Sequence, residues 1–183
     1  EAVQLSIRLK RPVKIVWSRE DDMHTDVYRP RATTLVRAAL DPEKRAVTGY
    51  FQRVATQSIL AQSGPEWTRG ILPTRLPVSL SGLVGAAAGT LFAGGALPDP
   101  TSVEGGNDIA YDIANIRVEH AALQLDVPVG FWRSVGYSHN TFVAESFLDE
   151  IAHALGRDPF ELRQKLLANA PQHRQVLELA AEK

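Results

Sequence analysis

One short stretch of this sequence combines residues that suit the binding of an anion. An apolar approach at residues 129–132 leads into a tight polar turn at residues 133–136, and a helix is predicted to begin near Ser138. The first N–H groups of a helix have no partner inside it, and the helix dipole adds partial positive charge there. Arg133 adds a planar donor suited to phosphate or carboxylate. The stretch therefore predicts an anion site, although many such turns bind nothing.

Other residues able to do chemistry are scattered. The sequence contains five histidines: His24, His120, His139, His153 and His173. None has the short spacing of a metal-ligand pair, which argues against a metal held by protein ligands. His139 lies at the mouth of the predicted anion site, where helix capping or support of the site is favoured over proton transfer. Arg29 and Arg31 are candidates for reaching a phosphate, although arginines are common where a strand begins. Glu145, Asp149 and Glu150 are expected to complement the helix dipole in solvent.

Composition excludes several classes of function. The 183 residues, 44% hydrophobic and 22% charged, are typical of a globular protein with one substantial core. A formal net charge of −1 argues against a nucleic-acid partner. The absence of cysteine excludes disulfides and iron–sulfur clusters held by these residues. No Walker, dinucleotide-binding or Gly-x-Ser-x-Gly pattern occurs. The sequence begins without methionine or a cleavable signal, so we expect an internal piece of a larger protein.

The elements that must position this site are predicted to form an α+β fold. Residues 2–9 fit either a strand or a helix, and the end of a helix is preferred. The β-branched run of residues 12–17 predicts a short strand, and Ser18 is a plausible N-cap for one turn of helix. Residues 31–40 alternate between apolar and polar, and a type I turn connects them to a second β run at residues 46–59. These two runs predict a long antiparallel hairpin.

Residues 63–106 are rich in glycine and proline and are predicted to be irregular. Within them, residues 78–97 are uncharged and contain five glycines. An apolar stretch of this length is compatible with a transmembrane helix. The bounding prolines, Pro77 and Pro98, and the lack of flanking basic clusters or an aromatic belt instead favour a buried, loosely helical loop.

The last third of the chain is predicted to be mainly helical. After extended residues at 111–125, a helix is predicted over 139–155 and ends at Gly156. Asp158, followed by proline and by glutamate three residues on, is a strong helix start. A final short helix is predicted over 172–181. The residues expected to face the core are Val143, Phe147, Ile151, Leu155, Leu162, Leu166 and Leu167.

Several segments in a consistent order resemble the molybdenum hydroxylases. The resemblance is closest to the molybdopterin-binding large subunits of the isoquinoline 1-oxidoreductase and aldehyde dehydrogenase branch. It covers most of the chain, and only residues 63–106 are aligned by position rather than by their residues. The matching segments are residues 11–23, 28–30, 111–117, 131–140, 142–150 and 156–163. The whole chain, residues 1–183, is therefore expected to be a single fragment of a molybdopterin-binding domain, with residues 63–106 resembling an insertion.

The resemblance implies chemistry done by a molybdenum cofactor, expected in its cytosine dinucleotide form. In this family a glutamate base activates a metal-bound hydroxide, which attacks an electron-poor carbon of an aldehyde or an N-heteroaromatic ring. Electrons leave through a small partner subunit with [2Fe–2S] centres to a cytochrome c or another acceptor. The protein binds, orients and tunes the cofactor. The implied location is the bacterial cytoplasm or periplasm, without attachment to a membrane.

The resemblance also assigns roles to the residues of the polar turn. Arg133, Ser134 and Gly136 are expected to contact the cofactor, and Gly136 is expected to supply the turn that lets backbone approach it. Ser134 stands where xanthine dehydrogenases have a glycine. Val135 replaces a phenylalanine that lies against the substrate, so a wider or differently shaped pocket is expected. The family's Gly-Gly-Phe-Gly loop and catalytic glutamate lie outside this sequence, so the fragment alone is expected to be inactive and without bound cofactor.

Two other readings remain open at this point. The missing cofactor loop and base are compatible with a non-catalytic scaffold or interaction module that kept the fold. The apolar residues 78–97 are compatible with a membrane-anchored protein. The full parent sequence distinguishes the first alternative, because a cofactor loop upstream and a glutamate downstream rule it out.

Overall fold

The computed structural model describes residues 1–43, 45–72 and 77–183, which form an α+β fold as predicted. Its helices and strands are, in chain order, α1 Ala2–Leu9, α2 Arg19–Thr25, β1 Ala32–Asp41, β2 Ala46–Gln57, α3 Ile59–Ile71, α4 Val78–Ala93, β3 Ile116–Leu123, α5 Tyr137–Ala154, α6 Pro159–Leu166 and α7 Pro171–Ala181. A short 3-10 turn at Pro100–Ser102 precedes β3. The choice of a helix for residues 2–9 is confirmed.

The sheet has the strand order β1-β2-β3. Strands β1 and β2 form the predicted antiparallel hairpin, with Ala32 opposite Thr56 and a register shift between Ala39 and Leu40. Strand β3 pairs with β2 in the parallel direction, which the sequence did not predict. A parallel pair needs a long crossover connection, and helices α3 and α4 lie in that connection.

The core lies where helices α5 and α6 pack against the sheet. Its buried residues are Val47, Tyr50, Ile113, Ala144, Leu148, Ile151, Ala152, Leu155, Leu162 and Leu166. Four of the residues predicted to face inward belong to this set, and Leu167 is also buried. Val143 and Phe147 are only partly buried, because the buried stripe of α5 runs through Ala144 and Leu148 instead.

Local start and stop signals were predicted correctly. Ser18 caps α2 in a reciprocal capping box with Asp21. Asp158 accepts hydrogen bonds from the N–H groups of Phe160 and Glu161 at the start of α6. Gly156 follows α5 with a φ of 58°, a left-handed conformation that glycine adopts without strain.

Two regional predictions were wrong. Residues 12–17 form no strand, and Trp17 is 54% exposed. A β-branched run becomes a strand only where a neighbour and a half-buried surface receive it, and here none is provided by the described residues. Residues 63–106 are not irregular, because α3 and α4 fill much of this range. Gly89 permits close packing of α4 against α3, because a Cβ there would lie 2.7 Å from the Ala61 carbonyl oxygen. No helix in the described ranges has the length and apolar character needed to cross a bilayer.

Candidate functional site

The apolar approach to the predicted anion site is held by a neighbouring segment of the chain. Tyr28 and Val129 form a parallel β-bridge. The Tyr28 N–H donates to the Pro128 carbonyl, and the Gly130 N–H donates to the Tyr28 carbonyl. A Cβ on Gly130 would lie 2.2 Å from the Val27 side chain, so the two segments approach too closely for any larger residue. The approach is therefore fixed by pairing rather than by a regular strand.

The polar turn of residues 133–136, which we call the site turn, has an unusual backbone. Ser134 and Val135 adopt the left-handed region, with φ values of 66° and 36°. This conformation is uncommon for residues other than glycine and is unfavourable for a β-branched valine, so the surrounding structure must hold it. The Val135 N–H closes the turn on the Trp132 carbonyl at 3.0 Å.

Gly136 has a different structural role from the one predicted. Its φ of −65° and ψ of −31° are those of an ordinary right-handed helix, so it does not supply the unusual turn geometry. Instead, a Cβ at this position would lie 2.3 Å from the Thr101 carbonyl oxygen. Glycine is required here because the site turn packs directly against the backbone of the 3-10 turn.

Arg29 binds the site turn directly. Its guanidinium donates to the Arg133 carbonyl at 3.1 Å, to the Ser138 hydroxyl at 2.9 Å and to the Val135 carbonyl at 3.4 Å. It also lies 5.8 Å from the ring centroid of Trp132, whose indole N–H donates to the Val27 carbonyl. Arg29 was considered as a phosphate ligand. Its donors are used within the protein, where they bind the carbonyls of Arg133 and Val135 on either side of Ser134.

Arg133 and the start of α5 are open, in contrast to Arg29. The Arg133 side chain is exposed, and within residues 1–43, 45–72 and 77–183 no carboxylate pairs with it. Helix α5 begins after Gly136, and no side chain of the described residues caps its first N–H groups. A free guanidinium and uncapped donors next to each other suit a phosphate-bearing or carboxylate-bearing ligand.

A buried polar network fixes the first turn of α5 on the sheet. The Asn140 side chain donates to the carbonyls of Ser102 and Glu104, both at 2.9 Å, and accepts from the Gln52 amide at 2.8 Å. Gln52 in turn accepts from the Tyr50 hydroxyl at 2.6 Å. Burial raises the pKa of Tyr50 to about 12, so this donor keeps its proton. The network holds the site turn at a set distance from β2.

A small cavity lies between the site turn and the sheet. Its free space of about 10 Å³ is enough for about one water molecule and far too small for a pterin. The cavity wall includes Arg29, Thr56, Thr101, Ser102, Val135 and His139. Val135 is partly buried and lines this cavity. A cofactor would have to lie on the outer side of the site turn, next to Arg133.

The acidic residues further along α5 are not free in solvent. Arg163 of α6 donates to the Glu145 carboxylate at 2.9 Å, to the Asp149 carboxylate at 2.6 Å and to the Glu145 carbonyl at 2.8 Å. The Tyr111 hydroxyl donates to both Glu145 oxygens. Burial and the Glu145 charge raise the pKa of Tyr111 well above its ordinary value. The expectation of simple dipole complementarity for Glu145 and Asp149 is wrong, because both belong to a cluster that joins α5 to α6.

Sequence reasoning missed two features of the site and found others. The described residues contain no group of three or more His, Asp or Glu side chains able to hold a metal ion. The contacts of Arg29 with the site turn join residues more than a hundred positions apart in sequence. No local sequence pattern predicts them. The same is true of the pair between Gln52 and Asn140. Arg133 and Ser134 are exposed on the outer side, while Val135 and Gly136 are partly or fully buried beneath it.

Comparison with known proteins shows which family a part of this chain resembles. Residues 91–167 match the family of molybdopterin cofactor-binding domains. The matched range contains β3, the site turn, α5 and α6. The predicted resemblance to the molybdopterin-binding subunits of molybdenum hydroxylases is thereby confirmed, with a partial domain in the present chain.

Two relatives give a more particular picture. The chain is 26% identical over 182 residues to the isoquinoline 1-oxidoreductase subunit beta of Brevundimonas diminuta, covering 100% of this chain and 20% of that protein. It is 28% identical over 162 residues to the membrane-bound aldehyde dehydrogenase (pyrroloquinoline-quinone) of Gluconacetobacter polyoxogenes, covering 86% of this chain and 18% of that protein. The chain thus spans about a fifth of the length of these relatives.

Proposed function

We propose that this chain forms one side of the molybdenum cofactor site in the large subunit of an oxidoreductase. The observation that carries the proposal is the exposed Arg133, free of a carboxylate, beside the uncapped start of α5 within the matched domain. Such a surface has donors without acceptors, and an anionic cofactor supplies acceptors. We further propose that the cofactor is the cytosine dinucleotide form, whose phosphates are the acceptors that a guanidinium prefers.

The residues of the site turn have separate tasks in this proposal. Arg133 and Ser134 bind the cofactor from the outer side, and Gly136 allows the turn to pack onto the 3-10 turn behind it. Arg29 keeps the turn in its left-handed conformation by binding the Arg133 and Val135 carbonyls. When bound, the cofactor supplies a redox-active metal centre able to deliver a water-derived oxygen to a substrate carbon. The chain's own contribution is to hold and orient it.

The substrate class we propose is an N-heteroaromatic compound or an aldehyde, as the names of the two relatives suggest for those proteins. Val135 is the residue of this chain placed nearest the substrate in the proposal. It is partly buried, so only part of its side chain is available to a substrate. A valine leaves more room than an aromatic residue, which favours a ring of larger or different outline.

The remaining parts of the activity are assigned to residues and subunits outside this chain. The catalytic base is proposed to be a glutamate elsewhere in the same polypeptide, so residues 1–183 alone are inactive. Electrons are proposed to leave through a small [2Fe–2S] subunit toward a cytochrome c or another acceptor. The name of one relative, a subunit beta, supports a partner of some kind. A cytoplasmic or periplasmic location is proposed because the resemblance implies it.

The test compares Arg133→Gln with Arg37→Gln in the intact protein. Arg37 is an exposed arginine of β1 and serves as the matched control. Molybdenum and cytidine monophosphate are measured per purified subunit. A charge-assisted hydrogen bond contributes about 1.5–3 kcal/mol, so Arg133→Gln should lower both contents by about tenfold or more under dilute washing. Full cofactor content in Arg133→Gln would remove the site turn from the cofactor site.

A second cofactor is measured in the same samples. The printed name of one relative includes pyrroloquinoline quinone, which is also an anionic ligand. The domain match favours molybdopterin over it. Intact protein that contains the quinone and never contains molybdenum would overturn the proposed function. Intact protein that never contains either cofactor would support the scaffold alternative.

A further inference from the structure

His139 is a partly buried side chain near the site whose two ring nitrogens have no hydrogen-bond partner among the described residues. It lies in the first turn of α5 and lines the small cavity behind the site turn. Both ring nitrogens are buried, and neither makes a hydrogen bond with the part of the chain that the structure describes. A buried polar group without a partner costs about 1–3 kcal/mol, so a native structure rarely leaves two on one ring.

The charge near His139 favours the neutral ring. Burial lowers the pKa of His139, and the positive charge of Arg29 lowers it further. The backbone of Ser102 lies near the ring and acts in the opposite direction, but neither nitrogen meets it with hydrogen-bond geometry. Arg29 is the one charged side chain among the other described residues lining the cavity. The rest of the wall comes from the end of β2, the start of α3, the 3-10 turn and the site turn.

Three of the other polar side chains around the cavity are already paired. Thr56 donates its hydroxyl to the Arg31 carbonyl, and Thr101 donates its hydroxyl to Asp99. Gln57 donates its amide to the carbonyls of Leu125 and Val127. A neutral imidazole has one donor and one acceptor. The cavity has room for about one water, and two buried ring nitrogens of His139 face it without a hydrogen bond from the described residues.

We propose that His139 is a positioning residue of the site turn, whose uncharged imidazole holds one water molecule in the cavity and so supports the turn on its inner side. Arg29 supports the same turn through its carbonyl groups. The consequence for cofactor retention rests on the proposed function, but the support of the turn does not. Protonation of His139 would place a second cation beside Arg29 in a cavity wall without a carboxylate, and the turn would loosen.

The direction of the pH effect follows from linkage. The folded protein binds a proton at His139 more weakly than the unfolded chain does, so the unfolded state holds more protons in that interval. The contribution of the neutral His139 to the free energy of unfolding is therefore complete above the unfolded-state pKa of about 6.5. It falls as the pH drops toward the lower folded-state value. Loosening of the site turn is expected in that same acidic interval.

The main experiment measures hydrogen–deuterium exchange of the site turn in the intact protein. His139→Gln keeps a neutral donor and acceptor, whereas His139→Phe removes both. His153→Phe, at an exposed position of the same helix, is the matched control. After correction for intrinsic rates at pH 7.5, residues 130–138 should exchange about fivefold to tenfold faster in His139→Phe. They should change less than about twofold in His139→Gln and in the control.

The pH profile separates positioning from simple packing. Between pH 7.5 and 5.5 the corrected exchange of the site turn should accelerate in the wild type and stay flat in His139→Gln, which cannot titrate. Exchange at the imidazole C2–H, followed by mass spectrometry, reports the protonation of His139 itself. Its midpoint should lie below the usual histidine value and rise in Arg29→Gln, which removes the neighbouring charge.

The outcomes distinguish this inference from the proposed function. Equal protection of the site turn in His139→Phe and the wild type would overturn it, as would acid-induced loosening that persists in His139→Gln. If His139→Phe does not fold, the pH dependence of site-turn exchange in His139→Gln still tests the inference. A flat profile supports it, and an acid-induced rise overturns it. Protection that depends on His139 in an intact protein without molybdenum would support the positioning role and refute the proposed function. Molybdenum that is retained through acid washing by His139→Gln, and lost by the wild type, supports both.

Discussion

The start and the middle of helix α5 use the same kinds of residue in opposite ways. At its start, Arg133 is exposed without a carboxylate partner among the described residues, and the His139 nitrogens make no hydrogen bond there. Toward its middle, Arg163 is bound by Glu145 and Asp149. The start of α5 therefore has unused hydrogen-bonding capacity, whereas in its middle Arg163 is paired with two carboxylates. A binding site is indicated by groups whose partners are missing, whereas a cluster with all its partners stabilises the fold.

The match to a family model alone does not make this distinction. Both ends of α5 lie within the range that matches the molybdopterin cofactor-binding domain. The middle of the helix is anchored by apolar burial at Leu148 and Ile151, and the start is anchored by the polar network of Asn140. The start can therefore keep its place on the sheet while its outward groups remain available.

The largest expected effect is on the ion pairs of Arg163 with the middle of α5. Arg163→Met should destabilise the 183-residue chain by about 2–3 kcal/mol in urea-induced unfolding, because Glu145 and Asp149 lose their partner at a site where Arg163 is 12% exposed. The value lies at the low end of buried ion pairs because both carboxylates are partly exposed. Arg174→Met, which breaks an exposed pair with Glu178, is the control and should change little. Equal losses in the free energy of unfolding in the two variants would mean that the ion pairs of Arg163 contribute no more than an exposed pair.

Arg29→Gln is expected to have a smaller effect on stability and a larger effect on the site. It removes the hydrogen bonds to the Arg133 carbonyl and the Ser138 hydroxyl, which should cost about 1–2 kcal/mol. Because the site turn then loses its conformation, molybdenum content of the intact protein should fall well below that of Arg31→Gln, a control two residues along the chain. Both quantities are read from the same preparations by thermal unfolding and metal analysis. Unchanged metal content would show that cofactor binding does not depend on the contacts of Arg29 with the site turn.

The smallest effect tests the backbone of the site turn. Ser134 has a φ of 66°, which glycine adopts at no steric cost. Ser134→Gly should therefore stabilise the chain by about 0.5 kcal/mol, since relief of strain slightly exceeds the added entropy of the unfolded state. The same change at Ser146, in the middle of α5, should destabilise by about 0.5–1 kcal/mol. If Ser134→Gly and Ser146→Gly changed the free energy of unfolding in urea in the same direction, the backbone at Ser134 would not be strained.

The sequence was most informative where a structure depends on neighbouring residues. Ser18, Gly156 and Asp158 were assigned correctly because capping needs only residues a few positions apart. The hairpin of β1 and β2 was predictable for the same reason, since a short turn sets its pairing. Residues 133–136 were found as a turn before a helix, and the resemblance identified its proposed ligand.

The remaining features depend on contacts that the local pattern does not contain. Residues 12–17 have strand-like composition but no described neighbour to pair with. The glycines of residues 78–97 favoured a loosely helical loop, whereas Gly89 lies in a regular helix and permits close packing against α3. The parallel partner of β3 lies more than sixty residues away in sequence. Arg29 and His139 acquired their roles only when distant segments met at the site turn. Burial and missing partners are properties of the assembled structure.

The parallel pairing of β2 with β3 has a consequence for how the site forms in time. The strands are joined through α3 and α4, and the pair between Gln52 and Asn140 closes across 88 positions of sequence. Closing so long a loop is entropically costly, and contacts of high sequence separation slow folding. The β1–β2 hairpin and the α5–α6 pair can form early from local contacts. The site turn can assume its left-handed shape only after β2, the 3-10 turn and α5 have met, so the surface offered to the cofactor is among the last parts of the chain to be completed.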